Sequence, residues 1–331
     1  MQIAAHGGVD YAELLELGVS PDEILDFSVN INPALPPREL LDVLARVEVS
    51  TYPDTESRRL RQIAAEHYGV TPEHVLAGNG SSELIWLICL AFLSPSETVL
   101  LRQPTFGEYE VAARIHGAEV VHYQPAIPPA IRARLAFICN PNNPTGDYHP
   151  LPPLHSGTLF VVDEAYADFV AGRPSAICRE MPSNLIVLRS LTKFSGLAGL
   201  RLGLAFAQPE VIRELRKVKP PWNVNAMAQA AGEYALRHPD LLPDLESLAA
   251  ARDGLQQGLR ALGLDPRATD CNYFLVPLAG LATKLPALDG GAAASVRRAL
   301  LGEGILVRDC TSFGLPDTMR VSVRGANDCQ R

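Results

Sequence analysis

The chain has 331 residues, 47 % of them apolar and 20 % charged, with a net charge of −8. That length supports one large or two medium domains around a real core, and the composition is that of a soluble globular enzyme or binding protein. An acidic balance without a basic stripe argues against nucleic acid as a partner. The longest uninterrupted apolar run, Leu84 to Leu93, is too short to span a bilayer, and the N-terminus has neither the basic nor the hydrophobic region of a signal peptide. Six cysteines (89, 139, 178, 271, 310 and 329) form no CxxC pair, and several sit inside apolar runs. This is the pattern of reduced, buried thiols in a cytoplasmic protein rather than of a disulfide frame or a zinc site.

In chain order, residues 1–36 open with His6-Gly7-Gly8, pass a short helix near Tyr11 to Leu17, and reach DFSVNINPALPP. Asn30, Asn32 and Pro33 favour turns over helix, so this stretch reads as a loop carrying polar side chains. A helix at 37–47 starts near Pro37, and an amphipathic helix runs from Glu56 to Tyr68. Alternating units follow. Strands at 75–77, 98–101, 120–123, 135–139, 159–162, 185–188 and 202–206 are apolar on both faces, with a buried helix at 83–93 and another at 107–116. They imply an α/β fold built on a mostly parallel sheet covered by helices on both sides. From Pro209 the pattern changes: helices at 210–218 and 225–262 (broken near His238-Pro239), strands at 272–276, 304–308 and 319–323, and a helix at 293–302. The expected division is a large domain over 37–208 and a smaller α+β domain of 1–36 and 209–331. Residues 278–294 read as a loop, and the chain is expected to stop at Arg331, just after a strand, without a covering helix.

Ligands in such sheets bind at the carboxyl ends of the strands, so the strand ends are read in turn. After 75–77, Gly80-Ser81-Ser82 opens a helix whose free N–H groups, dipole and hydroxyls make an anion site, although Ser81 could serve as a cap alone. After 98–101, Phe106 could stack on a flat ring or simply fill core. After 135–139 come NPNNPTG, two proline turns with three asparagines left over. After 159–162, Asp163 is a carboxylate at the end of a buried strand, costly there unless it is paired or caps a helix. After 185–188, Ser190 and Thr192 flank Lys193, and Arg201 lies eight residues on. A desolvated or cation-flanked lysine is a neutral, imine-forming amine, and hydroxyls with a guanidinium are donors for a phosphate. Together they indicate pyridoxal phosphate (PLP), whose protonated pyridine nitrogen would partner the acid. A nucleotide-binding reading of GNGSS fails for want of a Walker lysine or a GxGxxG.

HGG, DFSVNINP, YPD, AGNGSSELI, NPNNPTG, DEAY, LRSLTKFSGLAGLRLG, PWNVNA and MRVSVR resemble the PLP-dependent aminotransferase superfamily of fold type I over nearly the whole chain. Within it the HGG…DFSVNINP opening and PWNVNA resemble the cobalamin-biosynthesis branch, the L-threonine-O-3-phosphate decarboxylases, and next the histidinol-phosphate aminotransferases. The resemblance implies that Lys193 carries the cofactor, Asp163 pairs with the pyridine nitrogen, Tyr166 and Asn143 bond the phenolic oxygen, and Phe106 stacks on the ring. Ser81, Ser82, Ser190 and Arg201 would hold the cofactor phosphate, and Tyr52 would reach it from the partner copy of a homodimer. Arg320 matches a substrate-carboxylate position; Arg324, His6 and Asn32 are candidates for the substrate's phosphate, and Asn223 and Asn225 for the same pocket. The expected activity is that of a carboxy-lyase, decarboxylating L-threonine O-3-phosphate to (R)-1-aminopropan-2-yl phosphate, with histidinol-phosphate transamination as the alternative. Both share these cofactor residues and differ in which bond stands upright over the ring.

Overall fold

The computed structural model describes residues 6–34, 36–124, 131–154, 157–238, 244–278 and 291–330. Helix α1 (Tyr11–Leu17) starts on Asp10, whose carboxylate accepts from the backbone of Ala12 and Glu13, and ends at Gly18 in the left-handed conformation. Strand β1 (Leu25–Asp26) follows, so the stretch read as loop alone, which starts at Asp26, opens on the last residue of a strand. Helix α2 (Arg38–Ala45) starts directly after Pro37, where a missing N–H costs nothing, and α3 (Arg58–Tyr68) stops at left-handed Gly69.

The central sheet is made of β2 (Val75–Gly78), β3 (Thr98–Arg102), β4 (Glu119–Tyr123), β5 (Leu135–Cys139), β6 (Leu159–Asp163), β7 (Leu185–Ser190) and β8 (Gly203–Ala207). Their order is β2-β8-β7-β6-β5-β3-β4. All pairs are parallel except those of β8, which runs antiparallel to both β2 and β7. Every residue of β5 to β8 is buried, because each strand feeds two cores. In β6, Phe160 and Val162 pack with Leu60 and Ala64 of α3, whereas Val161 packs with Leu84 and Ile88 of α4 (Gly80–Phe92) on the other face. Helices α5 (Glu108–Ile115) and α6 (Leu191–Phe194) follow β3 and β7.

Helices α7 (Pro209–Val218) and α8 (Ala226–Arg237), read from the sequence as part of the smaller unit, pack against α4 and against α2 and α3. Beyond them come α9 (Leu245–Ala261), β9 (Tyr273–Pro277), α10 (Ala292–Gly302), β10 (Ile305–Leu306), β11 (Arg308–Asp309) and β12 (Thr318–Ser322). Strands β11, β12 and β9 form an antiparallel sheet, and β10 pairs in parallel with β1. The backbone N–H of Ser322 donates to Phe27 at 2.9 Å, which ties this sheet to the N-terminal segment. The expectation of a bare strand at the C-terminus is corrected: a short helix, α11 (Ala326–Gln330), follows β12 and packs near α9. Most of the 278–294 loop, Pro239 and the first five residues lie outside the described residues. No described helix is long and apolar enough to cross a membrane. All six cysteines are free; four are buried, and Cys178 is exposed.

The sheet and α4 meet without room for a side chain. A Cβ on Gly203 would lie 2.5 Å from the Ser81 nitrogen and 2.7 Å from the Gly80 carbonyl carbon. Gly203→Ala is therefore expected to lower unfolding free energy by about 1–3 kcal/mol, read by urea denaturation. An unchanged urea midpoint would contradict this close approach.

Candidate active site

The strand ends converge on a cavity of about 350 Å³, which the N-terminal arm and the smaller sheet also line. The sequence places α4 at 83, but it starts at Gly80, held in the left-handed region at φ +79. The cap is supplied by Glu83, whose carboxylate accepts from the Asn79 N–H at 2.7 Å. Ser81 and Ser82 therefore sit in the first turn and make no cap bond. A Cβ on Gly80 would lie 2.6 Å from the Arg201 guanidinium, so glycine lets that cation lie against the helix N-terminus. With Ser190 also lining the cavity, first-turn N–H groups, three hydroxyls and a guanidinium form an anion cradle.

Asp163, 3 % exposed, closes β6. Its Oδ2 accepts from the Tyr109 hydroxyl at 2.8 Å and its Oδ1 from the Ala165 N–H at 3.0 Å. Burial pushes its pKa up, against the opposing pull of those two bonds and of the Lys193 charge. Among the described residues no cation stands within ion-pair distance of it. A buried carboxylate left this way fits a cationic ring nitrogen from a ligand. Tyr109 is itself fully buried, stacked on Phe137 at 4.9 Å between centroids and edge-on to Phe106 at 5.6 Å. Burial, then the Asp163 charge, raises its pKa well above the usual phenol range, so it stays a donor.

Lys193 lies on α6 just past β7, its Nζ 5.1 Å from the centroid of the Tyr166 ring. Tyr166 stands edge-on to Tyr273 at 4.9 Å, and the Tyr273 hydroxyl donates to the Asn142 carbonyl at 2.9 Å. The three asparagines now separate by role. Asn140 brackets the His149 backbone, and Asn142 bonds Pro104, Thr105 and Thr145, so both buttress the turn. Asn143 faces the cavity and accepts from Arg320. Arg320, 5 % exposed, also donates to the Ser28 carbonyl at 2.7 Å, and its Nε has no partner among the described residues. Arg308 lines the same cavity, and burial, then the nearby Arg320 charge, pushes its pKa down. The lining thus carries Lys193, Arg201, Arg308 and Arg320 against the single carboxylate of Asp163. Such a cavity attracts anions at more than one point.

Of the residues expected in the site, Lys193, Asp163, Tyr166, Ser81, Ser82, Phe106, Asn143, Ser190, Arg201, Arg320 and His6 line the cavity. His6 Nε2 lies 2.9 Å from Glu108 Oε1, and its ring 5.8 Å from that of Phe106. The others are elsewhere. Asn32 donates to the Phe194 carbonyl at 2.7 Å and pins the loop to α6. Asn30 faces the cavity in its place: it is 3 % exposed, and neither side-chain polar atom has a partner among the described residues. Arg324 lies beside Asp328 at 3.6 Å, Asn223 donates to Glu83 at 2.6 Å, and Asn225 caps α8. Tyr52 is 78 % exposed and stacks on Trp222 at 4.4 Å, away from the cavity of its own chain. Sequence reasoning missed Asn30, Tyr109 and Arg308. The available signal for the second was its closeness in sequence to Phe106, which precedes α5 by two residues while Tyr109 lies in its first turn.

The raised pKa of Asp163 has a consequence for stability. The folded state binds its proton more tightly than the unfolded chain, so its contribution declines as pH climbs from the ordinary value of 3.8 through the folded one. Cofactor-free Asp163→Asn is thus expected to melt higher than wild type near neutrality, with the difference closing toward acid. Identical melting temperatures at every pH would contradict an unpaired buried carboxylate.

The family model for aminotransferase class I and II matches residues 22–330. The histidinol-phosphate aminotransferase of Moorella thermoacetica is 32 % identical over 93 % of this chain and 83 % of its own length. That of Symbiobacterium thermophilum is 35 % identical over 93 % of this chain and 88 % of its own. Among solved structures, histidinol-phosphate aminotransferase from Sinorhizobium meliloti, in complex with pyridoxal-5'-phosphate, superposes with a TM-score of 0.82 at 21 % identity, covering 98 % of this chain and 92 % of the other. L-threonine-O-3-phosphate decarboxylase from Porphyromonas gingivalis gives 0.80 at 26 %, covering 92 % and 95 %. The expectation of a carboxy-lyase of cobalamin biosynthesis is therefore corrected. These sequence relatives are named aminotransferases, transferases rather than lyases, and the decarboxylase stands beside them as a neighbour in fold. The misreading has a physical origin, since the motifs that carried it hold the cofactor and are common to both reactions. A family match over residues 22–330, relatives aligned across nine-tenths of the sequence and a cavity suited to a phosphate, a cationic ring and an amine lead to one conclusion: the chain belongs to the class I and II aminotransferases, with pyridoxal phosphate as its cofactor.

Proposed function

We propose that this protein is an aminotransferase of the histidinol-phosphate type, moving an amino group between a phosphorylated amine and a 2-oxo acid. The observation that carries the reading is the agreement of relatives 32–35 % identical over most of the chain. The cation-rich lining supports it, because a cofactor phosphate and an anionic substrate must be accepted together. The bound cofactor supplies an electron sink and a carrier for the amino group.

The protein's own groups do the rest. Ser81, Ser82, Ser190, Arg201 and the N-terminus of α4 bind the cofactor phosphate. Asp163 holds the proton on the ring nitrogen, Tyr166 and Asn143 orient the phenolic oxygen, and Phe106 covers one face of the ring. Lys193 Nζ anchors the cofactor and, once displaced, takes and returns the proton at the substrate carbon that bears nitrogen. Arg320 and Arg308 receive the phosphate of the amine and the carboxylate of the oxo acid in turn, with His6 and Asn30 completing the receptor. The protein works as a homodimer whose partner copy lends Tyr52 to the phosphate; 37–208 form the large domain and 1–36 with 209–331 the small one, with α7 and α8 of the latter packed onto the helices of the large domain.

Purified protein given L-histidinol phosphate and 2-oxoglutarate is expected to form glutamate stoichiometrically with consumption of the amine. Lys193→Ala should lower the rate by about a thousandfold or more. Arg320→Met removes charged hydrogen bonds of about 1.5–3 kcal/mol, a loss of about 10- to 100-fold in kcat/KM. Absence of glutamate with histidinol phosphate overturns the reading.

A further inference from the structure

The strand ends that carry the site have a second, hidden layer. Asp163 closes β6 facing the cavity, and Glu164 follows it on the opposite side of the sheet. Ser190 closes β7 facing the cavity, and Arg189 precedes it on that same opposite side. Glu164 and Arg189 are 4 % and 5 % exposed. There Arg189 Nη1 donates to Glu164 at 3.2 Å and Nη2 to Asp168, with the Tyr68 ring 5.5 Å from the guanidinium. Glu164 is held further by the Ala176 N–H at 2.7 Å and the Ser175 hydroxyl at 2.5 Å. Asp168 lies in the short turn Ala167–Phe169 directly after Tyr166.

A buried ion cluster is a poor source of stability, because desolvation offsets most of its attraction. Its location indicates another use. The register between β6 and β7 ends at Asp163 opposite Leu188, with a final rung from the Glu164 N–H to the Leu188 carbonyl at 2.9 Å. Past that point Arg189 and Ser190 pair with β8 alone, on the side away from β6. The β6–β7 ladder stops at that rung, level with Asp163 and Ser190 at the cavity, and the Arg189–Glu164 bond joins the two strands beyond it.

We propose that Arg189 is a positioning residue: by clamping Glu164 and Asp168 it fixes the Asp163–Tyr166 segment against Ser190 and Lys193 and so sets the span of the cofactor site. This rests on the reading of Asp163 and Ser190 as cofactor contacts. It concerns cofactor binding, which is measured without substrate, so its failure is distinguishable from failure of the aminotransferase reading.

The test is reconstitution of the cofactor-free protein with pyridoxal phosphate, reading the Kd and the pH midpoint of the visible cofactor band beside the melting temperature. Folded Arg189→Met is expected to bind about tenfold more weakly or worse, the scale seen when second-layer partners of a bound group are lost. Its band midpoint should also move. Arg189→Lys keeps the charge but reaches one carboxylate, and should recover part of the affinity. A lower melting temperature with wild-type Kd and band midpoint assigns Arg189 to folding alone and overturns the proposal. If Arg189→Met does not fold, Glu164→Gln, which preserves volume, is read in the same way: weakened binding supports the clamp, and wild-type binding overturns it.

Discussion

A buried carboxylate with no cation at ion-pair distance among the described residues is the constraint on which this active site turns. Asp163 ends a strand whose every residue is buried, and its hydrogen bonds come from a phenol and a backbone amide, neither of which carries charge. Leaving an acid in that state costs free energy that a positive ring nitrogen would return. Around it the polarity reverses, with a lysine and three arginines lining the same cavity. The separation of one buried acid from several cations is a demand for a ligand with a positive centre and anionic ends. The surrounding fold maintains it: Gly203 lets β8 lie against α4, Gly80 lets Arg201 lie against the start of α4, and a sheet packed on both faces leaves the strand ends little freedom.

Much of this was legible in the primary structure, because each strand writes its own signature. Runs such as 159–162 and 185–188 are apolar without alternation, which only a doubly covered sheet requires, and the chemistry then falls at their carboxyl ends. Lys193, Asp163 and Ser190 were accessible by that rule; Arg201 instead precedes β8, whose antiparallel course brings its start to the same edge of the sheet. Residues whose side depends on tertiary packing were not. In DFSVNINP the sequence offers two asparagines two apart, and nothing local tells which one turns inward; Asn32 ties down α6, while Asn30 lies in the cavity with no partner among the described residues. Tyr109 resembles core on its helix, and its hydroxyl acquires meaning only through contact with a residue 54 positions later. The antiparallel course of β8 and the terminal helix α11 were likewise set by distant partners or by too few residues to show a period.

The reaction was the least legible feature. Motifs that grip a cofactor dominate the sequence signal, and one cofactor supports both loss of a carboxyl group and exchange of an amine. What separates them is the torsion about a single substrate bond; in the proposed reading the cavity-lining side chains of Arg320, Arg308 and Asn30, which sit on different elements, would set it. Relatives aligned over 93 % of the chain weigh on that choice more strongly than any short motif, and they favour amino transfer. The fold is shared by both activities, as the similar overlap with both kinds of solved structure illustrates.

The most direct measurement is chemical capture of the cofactor on the protein. Borohydride reduction of the holoprotein, followed by peptide mapping, should place the pyridoxyl group on Lys193 in wild type. The same labelling should be markedly weakened in Asp163→Asn, which cannot meet the ring's charge. Labelling spread over other lysines, or full labelling of Lys193 with no dependence on Asp163, would contradict a site organised around that buried acid.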